Sequence, residues 1–341
     1  MKQLHVLALV NESLVPPDDL AGHSDKEIDE WKTEFDVIST LREMGHDVEV
    51  IGVSDDLNPI RKAILNRKPD VAFNLLEEFH GVVTYDHAIV SYLELMRQSY
   101  TGCNPRGLIL SKDKALSKKI LSFHRLPSPR FAVFPVGRKV KRPKRLTFPI
   151  FVKSVSEDAS LGISQASIVY DDAALADRVQ FIHEHTQADA LAEEYIEGRE
   201  FYVGIIGNER LQSFPIWELL FTKNTSGTAN IATRKVKWDR EYQEKFGIET
   251  TMAQGLTETQ QLSIAKMCKR VYRALDLSGY ARMDLRMTDD GRLYILEANP
   301  NPNLAYGEDF AESADKAGVT YEDLLQKILN LGQRFRAAWK S

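Results

Sequence analysis

The stretch Gly279-Tyr280-Ala281-Arg282-Met283-Asp284-Leu285-Arg286, continued through Asp290-Gly291 to Leu293-Tyr294-Ile295-Leu296-Glu297-Ala298-Asn299-Pro300, reads as a β-hairpin. Two runs of mixed apolar and polar residues flank Asp-Gly, the strongest short-range hairpin signal. With Asp290 and Gly291 as a two-residue turn, Asp284 faces Glu297 and Arg282 faces Asn299. A four-residue loop centred one residue earlier makes the first pair diagonal. Both registers keep all four side chains on one face, because side chains alternate along a strand with a period of two.

Carboxylates opposed across a sheet have Cβ atoms roughly 4.5 to 5.5 Å apart and repel unless something lies between them. A hard divalent cation fits that place, since magnesium takes one or two carboxylates, keeps some waters and draws its other ligands from substrate phosphates. The plainer alternative is a solvated face on which Arg282 and Arg286 neutralise the acids. The following Pro300-Asn301-Pro302-Asn303 favours a site, because a strand ending in a rigid polar loop holds ligands at a sheet edge.

Outward from the hairpin, 341 residues predict two or three domains with ample core. A composition of 43% apolar and 27% charged residues is that of an ordinary globular protein. The net charge of −5 argues against nucleic acid as the main partner. Cys103 and Cys268 fit no metal or redox spacing, and their scarcity suits a reducing cytoplasm. The apolar run Leu4 to Val10 is too short for a signal-peptide core, and no run approaches the ~18 residues of a membrane span. It reads instead as a first, buried strand.

The chain in order reads β-α-β-α-β: strand 4–10, helix 27–44, strand 48–53, helix 58–66 and strand 70–75, which implies a parallel sheet covered by helices. Ligands bind beyond the carboxyl ends of such strands. Asn11-Glu12, Ser54-Asp55 and Glu77-Glu78-Phe79-His80-Gly81 therefore share the candidate ligand edge, although a solvated loop is the plainer reading for Glu77, Glu78 and His80. A basic helix is predicted over 111–121, with Lys112, Lys118 and Lys119 on a solvated face. Phe148 to Lys153 is a strand that ends in lysine before a small-residue loop closing at Gly162, a pattern suited to phosphate. Thr222 to Thr228 leads into the cationic Arg234-Lys235-Val236-Lys237-Trp238, placed to close over anionic phosphates or to remain plain surface charge.

These pieces, in this order, resemble the ATP-grasp superfamily and, within it, the D-alanine–D-alanine ligase branch. The resemblance rests on Tyr100-Thr101-Gly102, Ser111-Lys112-Asp113-Lys114, Phe148 to Lys153 with Gly162, Glu193 to Glu200, and the hairpin from Arg282 to Asn299. It spans essentially the whole chain. It implies an α/β fold turning α+β in its C-terminal part: an N-terminal parallel-sheet domain (1–112), a central ATP-grasp subdomain (113–192) and a C-terminal subdomain (193–341) with the metal and catalytic site.

By that resemblance Lys114 and Lys153 contact ATP phosphates under a loop around Ser160. Within Glu193 to Ile196, Ile196 offers its backbone to adenine, and Glu200 binds the ribose. Asp284, Glu297 and Asn299 hold two magnesium ions, with manganese as an alternative. Arg282 steadies the transferring phosphate, and Lys237 is the lysine of the closing loop. The implied reaction joins a carboxylate to an amine through an acyl phosphate in the cytoplasm. The implied partners are small-molecule or peptide substrates, with a possible homodimer because dimers are common among relatives, while the net charge and the lack of a long apolar run speak against nucleic acid and membrane.

The departures lie on the substrate side. Only Glu12 could serve as the glutamate that receives a first D-alanine, and the loop reads Asp158-Ala159-Ser160 where the family has Gly-Ser-Ser. Trp238 replaces a tyrosine. Asn303 and Glu308 stand where the family has glycine and, a little further on, a serine for a substrate carboxylate. A glutamate there repels a carboxylate, so the expected acceptor is not D-alanine. D-alanine–D-alanine ligase itself, and a catalytically silent ATP-binding regulatory module, are the competing readings.

Overall fold

The computed structural model describes residues 2–155, 163–223, 231, 233, 236 and 239–340, with the Arg240 side chain left aside. Ser160 and Lys237 lie outside the described residues. The chain opens with β1 (His5–Asn11), α1 (Asp25–Glu43), β2 (Asp47–Val53), α2 (Asn58–Arg67) and β3 (Val71–Asn74). β1 pairs in parallel with both β2 and β3, in the order β2-β1-β3, as the β-α-β-α-β pattern requires. Hydrogen bonds from Ala72 to Ser99 and from Thr101 to Ala72 continue the sheet past β3. Ser24 and Glu27 form a capping box that starts α1.

The core face of α1 is Trp31, Glu34, Val37, Ile38 and Leu41, all buried. Glu34 is only 6% exposed within this stripe. Burial, helped by the Glu77 charge, pushes its carboxyl from the ordinary 4.5 up to about 7. The folded state therefore binds a proton that the unfolded chain has already lost, and stability falls as pH rises from about 4.5 to about 7. At about 1.4 kcal/mol per unit, the loss is about 3–4 kcal/mol at most. Glu34→Gln should flatten the dependence of melting temperature on pH between 5 and 8; an unchanged slope would assign it to another group.

Next come α3 (Asp86–Leu95), α4 (Pro105–Lys112) and α5 (Lys114–Phe123). The expected single helix over 111–121 is two, because Asp113 leaves helical geometry and its carboxylate accepts from the N–H groups of Ala115 and Leu116. An aspartate that caps a new helix ends the old one. The expected solvated face is also incomplete. Lys119 is exposed, but Lys112 meets Asp86 at 2.8 Å and Lys118 is 1% exposed.

The middle sheet consists of β4 (Phe131–Phe134), β5 (Ile150–Ser154), β6 (Ile168–Val169) and, after α6 (Asp172–Thr186), β7 (Ala190–Glu194), ordered β4-β7-β5-β6. A larger antiparallel sheet uses β8 (Arg199–Ile206), β9 (Gln212–Ser213) and β10 (Trp217–Phe221). It is completed, past α7 (Arg240–Phe246), by β11 (Ile248–Met252) and, past α8 (Glu258–Ala274), by β12 (Tyr280–Met287) and β13 (Leu293–Pro300). Its order is β11-β10-β8-β12-β13, with β9 on β8. Ala281, Met283, Leu285 and Met287 face a core shared with Ile264, Cys268, Val271 and Tyr272 of α8. The intervening residues of β12 are thereby turned to the opposite face. α9 (Asp309–Lys316) and α10 (Tyr321–Arg334) are the last two α-helices of the described chain, followed by a short 3-10 turn at Ala338–Lys340.

The hairpin has the expected site register for an unexpected reason. Asp284 pairs with Glu297 and Arg282 with Asn299, but the strands meet the loop at Met287 and Leu293, so the turn spans 288–292. That loop alone would displace the pairs by one residue. A β-bulge between Asp284 and Leu285 leaves Leu296 as the extra residue and restores them.

Candidate active site

β12 carries Arg282, Asp284 and Arg286 on one face, opposite Gly204, Tyr202 and Glu200 of β8. The Arg286 guanidinium donates through Nε (3.0 Å) and Nη2 (2.7 Å) to Glu200 Oε2, while the Tyr202 hydroxyl donates to Oε1 at 3.0 Å. Arg286 Nη1 also donates to the Ile196 carbonyl at 2.7 Å. The strand opposition thus makes one rigid unit of Glu200 and the Ile196 backbone. Burial would lower Arg286, but Glu200 outweighs it and holds the guanidinium above its usual range.

A second network joins α5, β5, β7 and β13. Lys118 Nζ lies 2.8 Å from Glu193 Oε2 and donates at 3.1 Å to the carbonyl of Leu296, the bulged residue. Lys153 Nζ lies 3.1 Å from Glu193 Oε1 and 3.8 Å from Glu297 Oε2. Burial would raise the Glu193 carboxyl, but the two lysines outweigh it and hold it below the ordinary range. Burial pulls Lys118 down, its effect exceeding that of the single close glutamate. Lys153 also starts from that penalty, yet Glu193 and Glu297 together hold it up, so its ammonium stays charged.

Asp284 accepts from Arg282 Nε (2.8 Å) and Nη2 (2.9 Å), and from Asn299 Nδ2 (3.0 Å). Among the described residues no group of three or more His, Cys, Asp or Glu side chains is gathered to hold a metal. The donors that do meet are two carboxylates and an amide, hard oxygen ligands on neighbouring strands. That set suits magnesium, which completes its shell with water and phosphate, and lacks the nitrogen or sulfur ligands typical of zinc.

An open cleft lined by residues of both networks lies between them. Phe151, Ile163, Ile196 and Leu296 form apolar walls, while Lys153, Glu193, Glu200, Asp284 and Glu297 face into it. An apolar slot with a few convergent charged groups suits a planar base joined to a polyanion. Lys114 is buried at the start of α5, with its N–H bonded to the Val155 carbonyl just past β5.

The substrate-side candidates lie in the segments after β1, β3 and β13. Glu12 is exposed at the end of β1, where neighbouring Asn11 bonds Glu78 at 2.9 Å. The His80 N–H bonds the Ser54 carbonyl, so the loops after β1, β2 and β3 share one edge. The Asn303 side chain accepts from Thr33 of α1 at 2.7 Å and from the Ala305 N–H at 2.8 Å. Glu308 is the N-cap residue of α9, its carbonyl accepting from the Glu312 N–H at 2.9 Å and its side chain making no cap hydrogen bond. Residue patterns alone did not single out Lys118, Tyr202 or Asp309, or Arg286 as a partner of Glu200. Lys118 had one available signal, its place four residues after Lys114 on the same helix face.

The chain has several relatives. It is 28% identical over 303 residues to an uncharacterised protein of Sinorhizobium fredii, covering 87% of this chain and 86% of that protein. A D-alanine–D-alanine ligase of Pelotomaculum thermopropionicum is 26% identical over 277 residues, covering 79% and 81%. A solved D-alanine–D-alanine ligase from Bacillus anthracis, complexed with ATP, matches with a TM-score of 0.75 at 23% identity over 97% of this chain and 98% of the other. Among the described residues no helix is long and apolar enough to cross a membrane. The family model described as D-ala D-ala ligase C-terminus matches residues 121–330, more than half of the chain; the protein belongs to this family and is an ATP-grasp ligase that forms C–N bonds.

Proposed function

We propose that this ligase activates a carboxylate as an acyl phosphate and passes the acyl group to an amine other than D-alanine, one that is cationic or lacks a free carboxylate nearby. The three units 1–112, 113–192 and 193–341 are proposed as its domains, with the nucleotide between the last two. Lys153, aligned by Glu193, neutralises phosphate charge, and Lys114 supports it from the start of α5. Ile196 and Glu200, braced by Arg286, receive adenine and ribose. Asp284, Glu297 and Asn299 would hold two magnesium ions, which when bound neutralise the charge of the transferring phosphoryl group. Arg282 stabilises the oxygen that gains charge when the amine attacks. Alignment, charge neutralisation and exclusion of water carry such a reaction without a protein nucleophile.

The observation that carries the acceptor reading is the start of α9. Glu308 and Asp309 present two carboxylates there, and Arg282 already holds Asp309 at 2.8 Å. A substrate carboxylate approaching this end meets the Glu308 charge, and like charges repel. The names of the relatives favour D-alanine–D-alanine ligase as the second reading.

Incubation with ATP, magnesium, pooled carboxylates and hydroxylamine traps the activated acid as a hydroxamate for mass spectrometry. A hydroxamate from an acid pool, with little ADP released by D-alanine alone, is the expected result. Brisk ADP release and dipeptide from D-alanine alone would return the protein to the second reading. Nucleotide binding without ADP release across the whole panel would make it a regulatory module.

A further inference from the structure

Arg282 is held on three sides by its own chain. Two of its nitrogens fork Asp284, and the third, Nη1, lies 2.8 Å from Asp309 Oδ2. The Tyr202 ring lies beneath its plane at 4.6 Å. The side chains of Arg282 and Asp309 are 18% and 16% exposed, so bulk water replaces little of this pairing.

Asp309 reaches that point for a packing reason. It is the first residue of α9, and the next residue, Phe310, is buried with its ring beside Gly204, the partner of Arg282 on β8. A Cβ at Gly204 would stand 2.9 Å from Phe214 and 3.1 Å from Phe310, so only glycine admits both rings. The rings anchor the first turn of α9 against the sheet, and a carboxylate in that turn also suits the helix dipole.

The Asp284 oxygens that Arg282 occupies are those the proposed magnesium site requires. A guanidinium and a divalent cation compete for the same lone pairs, and the guanidinium needs another anion if it is to give way without losing its orientation. We propose that Asp309 is that anion: a positioning residue that keeps Arg282 aimed into the site while Asp284 turns to the metal. Without Asp309, Asp284 becomes the principal anion for the guanidinium, which then opposes the metal. This inference rests on the magnesium reading of Asp284 and adds a residue that the substrate-side departures alone did not explain.

The test is direct titration of the full-length protein with Mn2+, followed by its electron spin resonance signal, alongside kinetics with Mg2+ and ATP. Asp309→Asn should weaken Mn2+ binding about tenfold, the low end of the effect of residues that orient metal ligands. It should lower kcat and raise the Mg2+ requirement, with the KM for ATP unchanged. Asp309→Glu should restore much of the affinity. In an Arg282→Met background, removing Asp309 should leave Mn2+ affinity unaltered, because no guanidinium remains to be released. If Asp309→Asn does not fold, Asp309→Ser carries the same expectations at the helix start.

Wild-type Mn2+ affinity in the Asn or Ser variant would overturn the proposal. So would an equal loss in the Arg282→Met background, which would make Asp309 a direct ligand or a purely structural residue. A wild-type protein whose Mn2+ binding is indifferent to Asp284→Asn would instead refute the metal site, a failure readily told from the first.

Discussion

Asp284→Asn and Glu297→Gln should each reduce amide formation by about 10³-fold or more, the loss expected when a charge-stabilising group leaves an active site. Both variants should remain folded. An amide at position 284 would still accept a hydrogen bond, and Arg282 would keep Asp309 at 2.8 Å. An amide at position 297 would leave Lys153 its closer partner, Glu193, at 3.1 Å. Nucleotide binding should survive in part, because Ile196 and Glu200 are braced by Arg286 rather than by either acid. Steady-state rates, circular dichroism and a fluorescent nucleotide titration separate these outcomes. Wild-type rates in both variants would refute the metal assignment.

The second large effect is on stability. Glu193 is 3% exposed and stands between two buried lysines, so Glu193→Leu leaves two ammonium groups without their shared anion. Removing one partner of a buried ion pair costs about 3–5 kcal/mol, mostly the penalty of the charge left behind. Urea unfolding should show a loss of that size, and Lys118→Met in the same background should recover part of it by removing one orphan charge. Nucleotide affinity should fall as well, since Lys153 would no longer be aligned. A loss below about 1 kcal/mol would mean that water reaches the network and screens it.

Lys118 shows why such a network is hard to read along the chain. A lysine in a basic helix is ordinarily solvated, and the pattern Lys-Lys at 118–119 looks like surface. Its burial depends on three distant events: α5 packing near the sheets, Glu193 arriving on β7, and a bulge freeing the Leu296 carbonyl from the ladder. Arg286 shows the intermediate case. Its sheet face follows from alternation, but its partner Glu200, 86 residues away, is set by the pairing of β8 with β12.

Two expected site residues differ from both. Lys237 and Ser160 are named by motif order and lie outside the described residues. Their roles therefore rest on resemblance, whereas Lys153, Glu193, Asp284 and Glu297 also meet around one cleft.

By itself, the sequence determined the alternation that gathers Arg282, Asp284, Glu297 and Asn299, the parallel start of the chain, and the family to which its motifs belong. These are local facts: side-chain period, turn residues and helix caps act over a few residues. Only the tertiary structure decided that a bulge rather than a tight turn sets the hairpin register, that Lys118 is buried, and that Asp309 meets Arg282. Those outcomes depend on which distant surfaces exclude water together. The strength of a charge pair is then set by burial and geometry that no neighbouring residue can specify.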